Sequence, residues 1–176
     1  IVGGCTNNAQ GIAGVAGGFG ATTPGTEMMI LMVSIGDGGP IGAVLDDAII
    51  YAADNGAKVI TLSLTVGTSS AIDAAVDYAY LQRGVFIDNA SGNNNGPVGY
   101  PANLPNVVAV GATDHNDVRA SFSNFGPELE VVAPGVDILS TQLSGTYGIS
   151  SGTSFASPNV AGLAALLFSQ NPSATN

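Results

Sequence analysis

Ser151-Gly152-Thr153-Ser154-Phe155-Ala156-Ser157-Pro158 runs straight into Asn159-Val160-Ala161-Gly162-Leu163-Ala164-Ala165-Leu166-Leu167-Phe168. The first half is small and turn-prone, and the second reads as an apolar helix. Gly152 permits a sharp backbone turn, Thr153 has the hydroxyl of a capping residue, and Ser154 then falls at the positive end of the helix dipole. A hydroxyl placed there is either one more cap on a buried helix or a nucleophile. In the second case the amide N–H of Ser154 points at the oxyanion that develops when the hydroxyl attacks a carbonyl.

Upstream of this stretch, apolar runs alternate with helical patterns. Residues 27–35 (EMMILMVSI) form a continuous apolar run bounded by turn residues, the pattern of a strand buried on both faces. Residues 44–55 place Val44, Leu45, Ala48, Ile49 and Ala52 at helical spacing, with Gly56 as the stop. Residues 58–64 (KVITLSL), 85–89, 107–112 and 129–133 read as further strands, and 70–83 as a helix. Strands separated by helical segments need right-handed crossovers, which predicts an α/β fold: a three-layer sandwich around a mainly parallel sheet. Asp88 interrupts one of these strands, where burying an unpaired carboxylate is costly. With 176 residues and no low-complexity linker, the whole chain, 1–176, is expected to be a single domain.

The net charge of −10 argues against nucleic acid and anionic membranes as partners. The apolar runs are too short or too interrupted to span a bilayer. Cys5 is the only cysteine and has no internal disulfide partner. Few charges and abundant Ser, Thr, Asn and Gly fit a secreted enzyme, and the chain opens without the basic segment of a secretory signal.

The string Gly-Thr-Ser-Phe-Ala-Ser-Pro followed by Val-Ala-Gly closely resembles the nucleophile motif of the subtilisin-like serine proteases. It is not the Gly-x-Ser-x-Gly elbow of the α/β-hydrolases, since Ala156 stands where that motif needs its last glycine. The resemblance extends over nearly the whole chain, through Tyr51-Ala52-Ala53-Asp54-Asn55-Gly56-Ala57-Lys58, Arg119-Ala120-Ser121-Phe122-Ser123-Asn124-Phe125-Gly126 and Val132-Ala133-Pro134-Gly135-Val136. It implies that Ser154 is the nucleophile. It also implies that Asn93, in Ala90-Ser91-Gly92-Asn93, donates its side-chain N–H to the oxyanion beside the Ser154 backbone N–H.

Substrate contacts follow by the same resemblance. Ser63-Leu64-Thr65, together with Ser91 and Gly92, is similar to the edge that lines the primary specificity pocket, and Gly99-Tyr100-Pro101 to its floor. Gly38-Gly39-Pro40 stands for the opposite edge, so a peptide or protein substrate is expected to bind by β-addition. Thr65 replaces a family glycine and narrows the cleft, and Pro40 removes one N–H from the pairing edge. The loop Cys5-Thr6-Asn7-Asn8-Ala9-Gln10-Gly11-Ile12 is similar to a family calcium loop. The implied ligands are the carbonyls of Thr6, Gln10 and Ile12 and the amide of Asn8. With no carboxylate among them, the site is expected to be weak or empty.

The family's general base, a His oriented by an Asp, belongs upstream of Ile1, so the domain is expected to be truncated at both ends, with residues 1–4 continuing a helix. The only histidine, His115 in Thr113-Asp114-His115-Asn116-Asp117, is expected on a solvated loop. Two functions compete: a serine endopeptidase acting through a Ser154 acyl-enzyme, and a peptide-binding or partner-dependent module that keeps the cleft without its own base. Either leaves a sheet edge that a second copy is expected to cover.

Overall fold

The computed structural model describes residues 1–9, 11–20, 22–34 and 41–176. Near the amino terminus β1 (Gly18–Phe19) and β2 (Thr23–Pro24) form a short antiparallel pair. There follow α1 (Leu45–Asp54), β3 (Val59–Leu62), α2 (Ser70–Asp77), β4 (Phe86–Ala90), β5 (Val108–Thr113) and β6 (Leu129–Pro134). An antiparallel ribbon, β7 (Ile138–Thr141) and β8 (Tyr147–Ser150), then leads into α3 (Thr153–Gln170). Strands β3, β4, β5 and β6 lie side by side in that order, and every pairing is parallel. This is the α/β arrangement that the alternation of runs predicts.

Alternation along each strand sorts side chains into two cores, because successive residues point to opposite faces of a sheet. Ile60, Leu62 and Ile87 meet Leu45 and Ile49 of α1 and Ile72 and Val76 of α2. On the other face Val110 and Ala112 meet Ala156 and Val160 of α3. The sheet therefore sits between two helical layers. Leu45, Ile49, Ile72, Val76 and Ile87 are at most 1% exposed, and each contributes about 1.5–3 kcal/mol of burial. α1 begins with Asp46 and Asp47 at its positive end and stops where Asn55 Nδ2 donates to the Tyr51 carbonyl, 2.8 Å away. The carboxyl half of the predicted 70–83 helix continues from α2 as a wider turn, Tyr78–Gln82.

Two expectations fail. The run at 27–34 is not a strand; Ile30 and Met32 are 80% and 81% exposed, and Ile35 lies outside the described residues. The sequence does specify an extended apolar segment, but a strand also needs a backbone partner. Among the described residues none reaches it: a cavity of about 880 Å³ separates Met28, Met29 and Leu31 from Ile60, Leu62 and Leu64 along the outer edge of β3. Residues 1–4 are likewise not helical. Their carbonyls accept from Val15 (onto Ile1, 2.9 Å), Ala16 (onto Val2, 2.9 Å) and Gly14 (onto Gly4, 2.7 Å), and the pair Gly3-Gly4 disfavours a helix.

Candidate active site

α3 starts at Thr153, immediately after Gly152, so Ser154 is its second residue and its amide has no acceptor within the helix. Thr153 does not cap this helix as its hydroxyl predicts. Its Oγ1 donates to Asn93 Oδ1 (2.9 Å) and accepts the Gly92 N–H (3.2 Å), while its own backbone N–H donates to the same Asn93 oxygen (2.8 Å). The hydroxyl is fully buried and spent on the neighbouring loop, leaving none for the helix. Because a backbone N–H pairs only with an acceptor, this contact fixes which end of the Asn93 carboxamide is oxygen. The NH₂ end is left without a partner among the described residues, on a side chain open to solvent.

Asn124 makes four of the hydrogen bonds that hold the loop carrying Asn93. Asn124 Oδ1 accepts the N–H groups of Asn94 (3.0 Å) and Gly96 (3.1 Å). Its Nδ2 donates to the carbonyls of Ser91 (3.0 Å) and Pro97 (2.8 Å). All four hydrogen-bonding positions of the amide are used. Gly92 sits against it at φ +111°, and a Cβ there would lie 2.3 Å from Asn124 Nδ2, so only glycine fits.

Ser154 is half-buried and exchanges two hydrogen bonds with Ser63, just past the end of β3. Ser154 Oγ donates to the Ser63 carbonyl (3.3 Å), and Ser63 Oγ donates to the Ser154 carbonyl (3.2 Å). Pro158 explains the second bond. It lies four residues beyond Ser154 and has no N–H, so the Ser154 carbonyl has no helical donor and takes the Ser63 hydroxyl instead.

From Ser63 a closed chain of contacts leads back to Thr153. Leu64 N–H meets Asn89 Oδ1 at 3.4 Å, and a Cβ on Gly99 would lie 2.9 Å from the Thr65 methyl. Gly99 N–H donates to the Ser91 carbonyl (2.8 Å), and Gly92 returns to Thr153. Ser63, Thr65 and Asn93 are exposed, whereas Ser91 is fully buried behind them. Gly38, Gly39 and Pro40 lie outside the described residues.

His115 is exposed on the turn after β5, its Nε2 3.1 Å from Asn116 Nδ2. Asp114 beside it accepts the Asn116 and Val118 N–H groups, which hold its carboxyl below the usual range. In the loop at residues 5–12, which resembles a calcium loop, Asn7, Ala9 and Gly11 have positive φ, and Gln10 lies outside the described residues. Its donor set fits calcium poorly. The Thr6 carbonyl already accepts the Gly20 N–H (2.8 Å), and every implied ligand oxygen is neutral.

Sequence reasoning marks Asp88 as costly but gives it neither a role nor its partners. The residue is 0% exposed, with Oδ2 2.5 Å from Ser157 Oγ and 3.1 Å from Thr61 Oγ1. Asn124 falls within the stretch 119–126 that carries the family resemblance, but the sequence assigns it no role and does not show which loop it holds.

The comparisons with known proteins agree on one family. A family model described as "Subtilase family" matches residues 1–176. The chain is 47% identical over 166 residues to a thermophilic serine proteinase of Bacillus sp. (strain AK1), covering 94% of this chain and 40% of that protein. It is 43% identical over 173 residues to thermitase of Thermoactinomyces vulgaris, covering 97% and 59%. A solved structure of a cold adapted subtilisin-like serine proteinase superposes with a TM-score of 0.72 at 40% identity, over 80% of this chain and 52% of that one. The chain thus spans about half the length of the relatives it matches.

Proposed function

The chain belongs to the subtilase family, and from that premise we propose that it supplies the nucleophile, the oxyanion hole and one wall of the substrate cleft of a secreted serine endopeptidase. Ser154 Oγ attacks the scissile carbonyl. A general base takes the Ser154 proton, the Asn93 NH₂ and the Ser154 N–H receive the oxyanion, the C–N bond breaks as the amine leaves with that proton, and water then hydrolyses the acyl-enzyme on Ser154. The observation that carries this reading is the orientation of Asn93, whose oxygen is tied to Thr153 so that its donors remain for a ligand. Ser63, Leu64, Thr65 and Gly99 supply the peptide-binding wall, with Ser91 and Gly92 behind it. Peptides and proteins are the substrates. Calcium at Thr6, Asn8 and Ile12 is at most a weakly held structural ion, for the reason its donor set gives.

In the resting site the Ser154 proton goes to the Ser63 carbonyl, not to a base. That observation favours a second reading, in which the chain binds peptides and acquires a general base only from a partner segment. Treatment with a serine-reactive phosphonate followed by mass spectrometry separates the two, with Ser154→Ala as control. An adduct on Ser154 in the isolated chain supports self-sufficient activation. Peptide binding without any adduct supports the partner-dependent module.

A further inference from the structure

β4 brings an ionisable residue, Asp88, into a layer that holds no other. The sequences of α3, β3 and β5, the elements packed around it, contain no charged or titratable side chain. In register Asp88 lies between Thr61 of β3 and Val108 of β5. Its Oδ2 meets the hydroxyls of Ser157 and Thr61, and its buried Oδ1 has no partner among the described residues. Ser157 Oγ also lies 3.1 Å from the Leu62 carbonyl and 3.2 Å from Thr61 Oγ1.

A hydroxyl has one proton, and here several acceptors compete for it. When Asp88 is ionised, a buried acceptor-only carboxylate draws the protons of both Thr61 and Ser157, and the Leu62 carbonyl loses the Ser157 donor. When Asp88 is protonated, its own O–H donates to Ser157 Oγ. The Ser157 proton is then free for the Leu62 carbonyl, which fastens α3 to the backbone of β3.

We propose that Asp88 is a positioning residue for Ser154: the proton count of the Thr61–Asp88–Ser157 cluster makes or releases the bond from Ser157 to the Leu62 carbonyl, and so sets the seat of the first turn of α3 on β3. Ser157 lies about one turn past Ser154 in the helix. Leu62 directly precedes Ser63, which exchanges two hydrogen bonds with Ser154. Burial pushes the Asp88 carboxyl up to about 7, so the change falls near neutral pH. The consequence for catalysis rests on Ser154 being the nucleophile; the clamp itself does not.

The test is a pH titration of the isotope-labelled chain by NMR, following the Asp88 carboxyl carbon and the amides of Ser63 and Ser154. The Ser63 nitrogen is bonded to the Leu62 carbonyl carbon and reports its hydrogen bond. In the wild type both amides are expected to shift with the same midpoint as the Asp88 carboxyl. In Asp88→Asn, whose NH₂ donates to Ser157 permanently, both are flat and stay at the wild-type acid limit. In Ser157→Ala they are flat while Asp88 still titrates. Amides that stay flat through the wild-type Asp88 titration, or that titrate unchanged in Ser157→Ala, overturn the proposal. Phosphonate labelling run in parallel keeps the two claims apart: no adduct at any pH removes the nucleophile, and the amide shifts still decide the clamp.

Discussion

The side-chain oxygen of Asn93 accepts both the backbone N–H and the hydroxyl of Thr153, at 2.8 and 2.9 Å. One residue of α3 thereby orients an amide on a separate loop, 60 residues earlier in the chain. Preorganisation of this kind matters because a donor already aimed at the developing charge needs no rearrangement during the reaction.

Asn93→Ala removes that donor while leaving Ser154 in place. The expected result is a loss of about 10²–10³ in the rate of Ser154 acylation, the magnitude known for subtilisin itself when its oxyanion-hole asparagine is removed. Thr153→Val keeps the backbone N–H that orients the Asn93 amide and removes only the hydroxyl's bonds to Asn93 and Gly92, and is expected to slow acylation by a smaller factor. Stopped-flow or mass-resolved phosphonylation rates check both. Equal rates in wild type and Asn93→Ala contradict the assignment.

Asn124→Ala leaves the Pro97 carbonyl and the N–H groups of Asn94 and Gly96 without their partner in a part-buried setting, and leaves the Ser91 carbonyl with Gly99 N–H alone. A stability loss of about 2–4 kcal/mol is expected from several unsatisfied groups, measured by urea unfolding. Ser91→Ala, which keeps its backbone contacts, is expected to cost under about 1 kcal/mol by the same measurement, its hydroxyl contact to Asn124 being long at 3.5 Å.

The pH dependence of stability follows from Asp88. Desolvation raises its carboxyl from 3.8 to about 7, only partly offset by the Ser157 and Thr61 hydroxyls. The folded chain therefore holds a proton that the unfolded chain releases. This contribution to stability is complete below about pH 4, falls as the pH rises toward 7 and is flat above it. The full difference is on the order of 4 kcal/mol. Unfolding curves of Asp88→Asn minus wild type, taken from pH 4 to 8, are expected to diverge over that window, with the variant gaining relative stability. Parallel curves refute the shift.

Calcium is expected to do little. With neutral ligands only, about 10 mM calcium raises the unfolding free energy by less than about 0.5 kcal/mol. Thermal melts with calcium and with chelator test this, and a large chelator-reversible shift would show a complete site.

Exposed Ile30 and Met32, beside the open edge of β3, predict self-association of the isolated chain. Sedimentation velocity across a concentration series should show dimers or larger species growing with concentration. A monomer at every concentration contradicts the prediction.

The parallel core is legible because β3, β4, β5 and β6 are each specified locally, by short apolar runs with helical or loop segments between them. The run at 27–34 misleads because local pattern specifies an extended chain but not its neighbour; ladder partners are a long-range property. Ser154 and Asn93 are legible through motifs. The residues that hold them are not. Thr153 reads as a cap, and it becomes an orienter because Gly152 occupies the cap position and the Asn93 loop lies within reach. Asp88 looks like a defect in the sequence because Ser157 and Thr61, its partners, are 69 and 27 residues away.

The central claim is that Asn93 and the Ser154 amide together receive an oxyanion formed at Ser154, and a crystal structure with a peptide boronate tests it most directly. The expected result is a tetrahedral boron bonded to Ser154 Oγ, with one boronate oxygen about 2.7–3.1 Å from both Asn93 Nδ2 and the Ser154 nitrogen. A boronate attached to Ser154 whose oxygens point away from Asn93, or one bound elsewhere on the chain, would contradict it.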